Sequence, residues 1–135
     1  MIGPMYMDFK VGRADLILKS NSAIQYVATI DYSNKVIESK GRDSLVLPED
    51  KAKEFASIGP LLVMGALGHK LETSCGPLGF VVGRFERALV VIYQLRAEMV
   101  VLVTGIIGMD ELEEIASFLH KTEEKLASPR IIPTS

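Results

Sequence analysis

Residues 88–107 read ALVVIYQLRAEMVVLVTGII and form the most apolar stretch of the chain. A membrane-spanning helix needs about 20 residues, so the length alone would allow a span. However, Gln94, Arg96 and Glu98 lie at its centre, where each charge costs roughly 2.5–3.5 kcal/mol and each Val or Leu returns only about 0.3–0.6 kcal/mol. The flanking Val, Ile, Leu and Tyr residues favour strands, because branched side chains pack well on a pleated surface. The stretch is therefore predicted to be a buried hairpin that turns at the polar cluster.

The two strands of this hairpin, at about 88–95 and 99–105, are apolar on both faces. Side chains alternate between the faces of a sheet, and both alternating sets consist mainly of Val, Ile, Leu, Met and Tyr. An antiparallel sheet with one face in water would instead alternate apolar with polar residues. Both faces must therefore be covered, and helices are the elements available to cover them.

Local patterns place the remaining elements. A hairpin over 23–41 turns at Tyr32–Lys35, where Asn34 tolerates a positive φ. Helical composition over 47–76 contains Pro60, which costs about 3 kcal/mol inside a helix and predicts a kink or break. Asp110 and Glu113 form a capping box that predicts the start of an amphipathic final helix. With a helix at 8–21 and a strand at 78–86, the fold class is α+β, a five-stranded antiparallel sheet between helices in the order α-β-β-α-β-β-β-α.

Length and composition indicate one domain over 1–135, with a core at about 8–127 and a short tail at 128–135. The net charge of −2, from 15 basic and 17 acidic residues, argues against nucleic acid as a partner. The single cysteine, Cys75, fits a reducing compartment. The opening residues MIGPMYMDFK lack the pattern of a secretory signal, so a cytoplasmic protein without membrane insertion is expected.

At this level the chain resembles the roadblock (dynein-light-chain-related) family of the profilin-like and longin-like group. The resemblance rests on YVATIDYSNKVIES (26–39), an apolar strand followed by Asp, a turn and Val-Ile, and on YQLRAEMVVLVTG (93–105) before an amphipathic helix. It covers nearly the whole chain. It implies a roadblock-like fold, a homodimer and a partner such as a small Ras-like GTPase or a scaffold protein.

The middle helical segment carries small and apolar residues along one stripe, and much of its remaining surface is apolar too. Such a helix must be buried on more than one side, either deeply within its own chain or against a second helix. The resemblance implies that this helix packs against its mate in a dimer and that the strand at 78–86 pairs across to join two sheets. The predicted dimer interface is Ala56, Gly59, Val63, Ala66, Leu67, Phe80 and Val82.

The sequence gives little support for a metal site or for a nucleophilic cysteine. His69, Glu72 and Cys75 are close in sequence, but zinc needs three or four ligands in a closed geometry, and the second histidine, His120, belongs to another helix. Cys75 has no positioned base that would lower its pKa. We read these residues as polar groups near a helix end and predict no metal site.

Other motifs point to structure rather than to catalysis. The glycine-rich segment 76–84 lacks the Lys-Ser/Thr ending of a phosphate loop and more readily permits close backbone approach or a bulge. Asp31 could pair with Lys35 or Arg84, an exposed contact worth about 0–1 kcal/mol. No catalytic residue and no cofactor is predicted, and the chain is not expected to be an enzyme.

Two hypotheses for the function follow. The first is a dimeric interaction module whose joined sheet and helices dock a GTPase or a scaffold protein. The second is a small-molecule sensing domain that holds a ligand against the sheet. The possible kink at Pro60 and the glycines at 59, 65 and 68 favour the second, while the lack of convergent polar anchors weighs against it.

Overall fold

The computed structural model describes residues 12–42 and 48–131, without the side chains at 49, 58, 61–70 and 124–131. The order of helices and strands confirms the predicted α-β-β-α-β-β-β-α arrangement. The elements are α1 (Gly12–Ser20), β1 (Ile24–Asp31), β2 (Val36–Gly41), α2 (Glu49–Cys75), β3 (Phe80–Arg84), β4 (Leu89–Gln94), β5 (Glu98–Thr104) and α3 (Met109–Ile131).

The five strands form one antiparallel sheet in the order β2-β1-β5-β4-β3. The strongly apolar stretch is the hairpin β4–β5, and β5 lies at the centre, paired with β4 on one side and β1 on the other. This position explains why β5 is apolar on both faces: Val100, Val101 and Leu102 have no exposed surface. The outer strands of the sheet are β2 and β3.

Helices cover both faces of the sheet, as the sequence pattern predicts. Helices α1 and α3 lie on one face and share a core with residues such as Val27, Val91, Val100 and Leu102. Helix α2 lies on the other face, where Ala52 and Ala56 pack with the alternate set of strand residues. No helix in the described parts of the chain is long and apolar enough to cross a membrane.

The β1–β2 turn forms as its residues predict, and among the described ion pairs Asp31 has none with Lys35 or Arg84. Asn34 has φ of 70°, and Asp31 Oδ1 accepts hydrogen bonds from the backbone N–H groups of Ser33 (2.9 Å) and Lys35 (3.0 Å). The Ser33 hydroxyl also donates to Oδ1, and these bonds lower the pKa of Asp31 below its ordinary value. The carboxylate therefore holds the turn chiefly through the Ser33 hydroxyl and the backbone N–H groups, and the charge of Lys35 lowers its pKa further.

Two helix boundaries differ from prediction. Helix α2 runs through Pro60 without a break, because tertiary packing offsets the propensity cost: Ala52 and Ala56 are buried against the sheet, and Pro60 itself is buried. Helix α3 begins at Met109, so Asp110 lies in the first turn and is not the N-cap. Its charge still complements the helix N-terminus there.

Long-range polar contacts fix α1 both to the sheet and to α3, its neighbour on the same face. The Glu38 carboxylate of β2 accepts a hydrogen bond from the N–H of Ala14 (2.8 Å) and so caps the helix from outside. Arg13 is almost fully buried, donates to the carbonyl of Leu119 (2.8 Å) and forms an ion pair with Glu98. Burial lowers the pKa of Arg13, although negative charges nearby oppose the shift.

Candidate interaction surface

Strand β3 has one edge that pairs with nothing in the described parts of the chain. Its backbone direction follows from the hydrogen bonds at its ends, where Gln94 N–H donates to the Gly79 carbonyl (2.8 Å) and Phe85 N–H donates to the Ala88 carbonyl (2.8 Å). Bonded pairs recur at every second residue of an antiparallel ladder. Odd-numbered residues of β3 therefore bond to β4, and the N–H and C=O groups that point outward belong to Phe80, Val82 and Arg84.

The open edge is regular and largely apolar, unlike the edge at β2. The pairing of β1 with β2 shifts between Thr29 and Ile30, so Ile37 is left without a partner in a bulge. Bulges and charges are common devices that keep an edge strand from pairing with another chain. The register of β3 on β4 is regular throughout, and its first residues, Phe80, Val81 and Val82, are half-buried and apolar.

The two faces of β3 lie against different layers. Phe80 and Val82 pack against the core under α1 and α3, with the Phe80 ring 5.1 Å from the ring of Tyr93. Val81 packs against the core under α2. Phe85, just beyond β3, belongs to this second face because it is bonded opposite Ala88, a member of that core.

The predicted interface residues whose side chains the structure describes do not form one patch. Ala56 packs between α2 and the sheet, and Gly59 is buried beside Phe55, whereas Phe80 and Val82 lie on the opposite face of the sheet. The side chains of the other three, Val63, Ala66 and Leu67, lie outside the described residues. The interface remains a prediction, but Ala56 uses its surface within its own chain.

The structure gives a local reason for a glycine at position 59 that the sequence did not reveal. A Cβ atom at this position would lie 2.4 Å from Cε1 of Phe55, so the Phe55 ring occupies the space next to the glycine. Phe55 and Leu71 are the large apolar side chains of α2 that are exposed among those described. Among the described side chains, they are the large apolar groups of this helix that are available to a partner in the single chain.

A groove of about 660 Å³ lies between α3 and the start of β3. Its floor is formed by Gly79, Phe80 and Tyr93, and its wall by residues on one stripe of α3: Glu113, Ala116, Ser117, His120 and Lys121. The Tyr93 hydroxyl donates to the Leu112 carbonyl (3.0 Å). Burial raises the pKa of Tyr93 above its ordinary value, and the charge of Glu113 acts in the same direction.

Sequence reasoning assigned no role to Phe85 or to the groove. The sequence offered one signal that Phe85 has a role, namely a large apolar residue directly before the charged pair Glu86–Arg87. The spacing of Glu113, Ser117 and Lys121, four residues apart, was the signal for a polar stripe facing the sheet. Cys75 is exposed, and no three His, Cys, Asp or Glu side chains among the described residues lie close enough to hold a metal ion.

No protein-family model and no curated protein matches the sequence. Solved structures do match. A Roadblock/LC7 domain from Streptomyces avermitilis superposes with a TM-score of 0.61 at 15% identity, covering 85% of this chain and 94% of that one. The chain has the roadblock fold.

Two further roadblock-fold matches are structures of MglB. The gliding protein MglB from Thermus thermophilus superposes with a TM-score of 0.57 at 19% identity, covering 83% of this chain and 86% of that one. MglB from Myxococcus xanthus gives 0.60 at 15% identity, with 83% and 92% covered. These matches confirm the predicted resemblance at the level of the fold.

Proposed function

We propose that this roadblock-fold chain is a non-catalytic interaction module that forms a homodimer through the open edge of β3 and docks a small Ras-like GTPase or a scaffold protein. The observation that carries the proposal is the regular, largely apolar β3 edge, whose outward backbone groups are unpaired among the described residues. An edge of this kind is a ready template for strand addition.

Pairing two copies of β3 would stabilise the dimer in two ways. The outward N–H and C=O groups of Phe80, Val82 and Arg84 would exchange hydrogen bonds with water for hydrogen bonds with the other chain. The half-buried side chains of Phe80, Val81 and Val82 would lose their remaining contact with water. The resemblance adds that α2 packs against its mate on the adjacent face of the joined sheet.

Sedimentation equilibrium over a wide range of concentrations tests the dimer directly. We expect a mass near twice 14.8 kDa. A matched pair of variants makes the test specific to the edge: Val82→Pro, which removes one outward N–H, should weaken association, while Ile37→Pro in the β2 bulge should not. A chain that is monomeric throughout would refute the proposal.

The docking surface for the GTPase is proposed to include the exposed part of α2. Leu71 is 53% exposed there, and Leu16 on α1 is a matched control at 49% exposure on the other side of the sheet. Ras-like GTPases loaded with GDP or with a non-hydrolysable GTP analogue would be titrated against the chain by calorimetry. We expect binding that depends on the nucleotide and is weakened by Leu71→Ala but not by Leu16→Ala. If no GTPase binds with either nucleotide, the result would count against this class of partner.

The proposed setting is the cytoplasm. Cys75 is an exposed free thiol, a state that persists in a reducing compartment. The proposal of a non-catalytic role rests on the absence, among the described residues, of a nucleophile with a positioned base. The groove side chains of Ser117, His120 and Lys121 form no hydrogen bonds with one another.

The groove favours a second candidate function, the sensing of a small aromatic anion. Phe80 supplies an apolar surface, and Ser117, His120 and Lys121 supply hydrogen-bond donors within about one turn of α3. Amide NMR shifts would be followed on titration with 2-naphthoate and with the neutral 2-naphthamide. If the groove senses such anions, naphthoate should shift the amide signals of Gly79 and Ser117. Lys121→Gln should abolish these shifts, whereas the control Lys53→Gln on α2 should not. Equal responses to both compounds would refute the sensing function.

A further inference from the structure

Two features of the β3 hairpin have no explanation within one chain. Phe85 is 61% exposed, the largest exposed fraction of any large apolar side chain among the described residues. Gly79 has no positive φ, and a Cβ atom placed there would meet nothing within 4 Å. Neither backbone conformation nor crowding in the single chain requires a glycine, which weakens a strand and often marks the close approach of another group.

We infer that two copies of β3 pair antiparallel about Val82, so that Phe85 of each copy lies over Gly79 of the other. This inference rests on the proposed homodimer and specifies its register. A two-fold axis at Val82 places each residue opposite the one at the same distance on the other side of position 82. Phe85 and Gly79, three positions either side of it, therefore face each other.

The hydrogen bonds favour this register. The outward residues of β3 are Phe80, Val82 and Arg84, and an axis at Val82 pairs all of them: Phe80 with Arg84, Val82 with Val82, and Arg84 with Phe80. An axis at Val81 or at Gly83 would pair only two of the three outward residues within the strand. An axis at Arg84 would also place two like charges directly opposite each other, which is destabilising.

Side-chain size selects the same register on the α2 face. An axis at Val82 places Phe85 opposite Gly79 and Val81 opposite Gly83, so each glycine faces a large apolar side chain. An axis at Val81 would place Gly79 opposite Gly83, and an axis at Gly83 would place the two Gly83 residues opposite each other. Packing of an aromatic side chain over an edge glycine is a known device for fixing strand register.

The other face of the joined strands is also compatible. Phe80 of one copy lies opposite Arg84 of the other, so the guanidinium can lie against the aromatic ring. Arg84 makes no ion pair within the described residues of its own chain. The register therefore supplies the side chains at both ends of β3 with a partner.

Cysteine crosslinking reads the register directly. The crosslinking variants are made in a Cys75→Ser background. A residue on the two-fold axis faces its own copy, with the two Cα atoms about 5.5 Å apart, which is within the span of a disulfide. Neighbouring positions lie about 7–8 Å from their own copies. Val82→Cys should crosslink fastest under mild oxidation. Val81→Cys and Gly83→Cys should each react slowly alone and rapidly when the two variants are mixed and allowed to exchange subunits.

Each result separates the register from the dimer itself. Fastest self-crosslinking of Val81→Cys or of Gly83→Cys, in a chain that sediments as a dimer, overturns the register and leaves the proposed function intact. A chain that neither crosslinks nor sediments as a dimer overturns both.

The role of Phe85 has its own test. Phe85→Ala should raise the dissociation constant at least roughly tenfold, because each dimer loses two buried aromatic side chains. Met109→Ala is the matched control, since Met109 is 59% exposed and lies at the start of α3, a helix on the face of the sheet opposite to Phe85. Because both side chains are exposed in the single chain, circular dichroism should show that both variants fold. Equal dissociation constants for the two variants would overturn the Phe85–Gly79 contact.

Discussion

The ion pair between Arg13 and Glu98 offers the sharpest test of how the helices are held to the sheet. The two side chains are only 8% and 14% exposed, and Arg13 also donates to the carbonyl of Leu119 on α3. Removing one member of a buried pair costs about 3–5 kcal/mol, because the other charge stays buried without a partner. We expect Arg13→Met to lower the free energy of unfolding by about 3 kcal/mol, the lower end of that range, since Glu98 retains some contact with water.

The double variant Arg13→Met/Glu98→Gln separates the buried charge from the lost packing. With no uncompensated charge left, its loss should be only about 1–2 kcal/mol, less than that of Arg13→Met alone. Unfolding entropy of roughly 2.1 cal/mol/K per residue converts a loss of about 3 kcal/mol into a fall in Tm of about 10 °C for a chain of this length. Urea unfolding followed by circular dichroism, at one fixed protein concentration, gives the free energies.

Lys19→Met is the matched control on the same helix. Lys19 is 73% exposed and pairs with Asp15 one turn earlier, so its loss should change stability by no more than about 0.5 kcal/mol. Glu98→Gln alone completes the cycle. If Arg13→Met/Glu98→Gln loses the sum of the losses of Arg13→Met and Glu98→Gln, the two residues are not coupled and the reasoning is wrong.

Three further predictions concern single residues. Gly12→Ala should cost about 1–3 kcal/mol by chemical unfolding, because φ is +86° and the new methyl group would overlap the Glu38 carboxylate; an unchanged midpoint would contradict this. Tyr93→Phe should cost about 1 kcal/mol through the lost bond to Leu112. Because the folded-state pKa of Tyr93 is raised, stability should fall as pH rises above 10, and the variant should show a shallower fall in alkaline urea titrations. The pKa of Asp31 is lowered, so its stabilisation is present above pH 3.8 and is lost as pH falls below it; Asp31→Asn should remove this acid dependence.

Much of the fold was predictable because its signals are local. Both alternating sets of side chains along 88–105 are apolar, which required cover on both faces of the sheet, and the polar cluster at Gln94–Glu98 marked the turn between β4 and β5. The turn at Asn34 followed from side-chain chemistry alone. These features depend on residues within a few positions of one another, so one sequence is enough to read them.

The prediction of a break at Pro60 was wrong, because the continuity of this helix does not depend on local residues alone. Helix propensity is a local term of about 3 kcal/mol, whereas the continuity of α2 depends on burial of Ala52 and Ala56 against strands distant in the chain. Likewise, the sequence pattern assigns Ala56 and Gly59 to an interface stripe, and only the structure places Ala56 against its own sheet and Gly59 beside Phe55.

The sequence by itself determined the order of the elements, the two apolar faces of the central hairpin and the turns. The tertiary structure alone decided that β5 is central and β3 is open, because strand order depends on which distant segments share hydrogen bonds. It also decided which backbone groups of β3 face outward, since that alternation is set by the partner strand and not by the residues of β3. The candidate surface of this roadblock fold, with Phe85 exposed beside an open edge, is a consequence of that pairing.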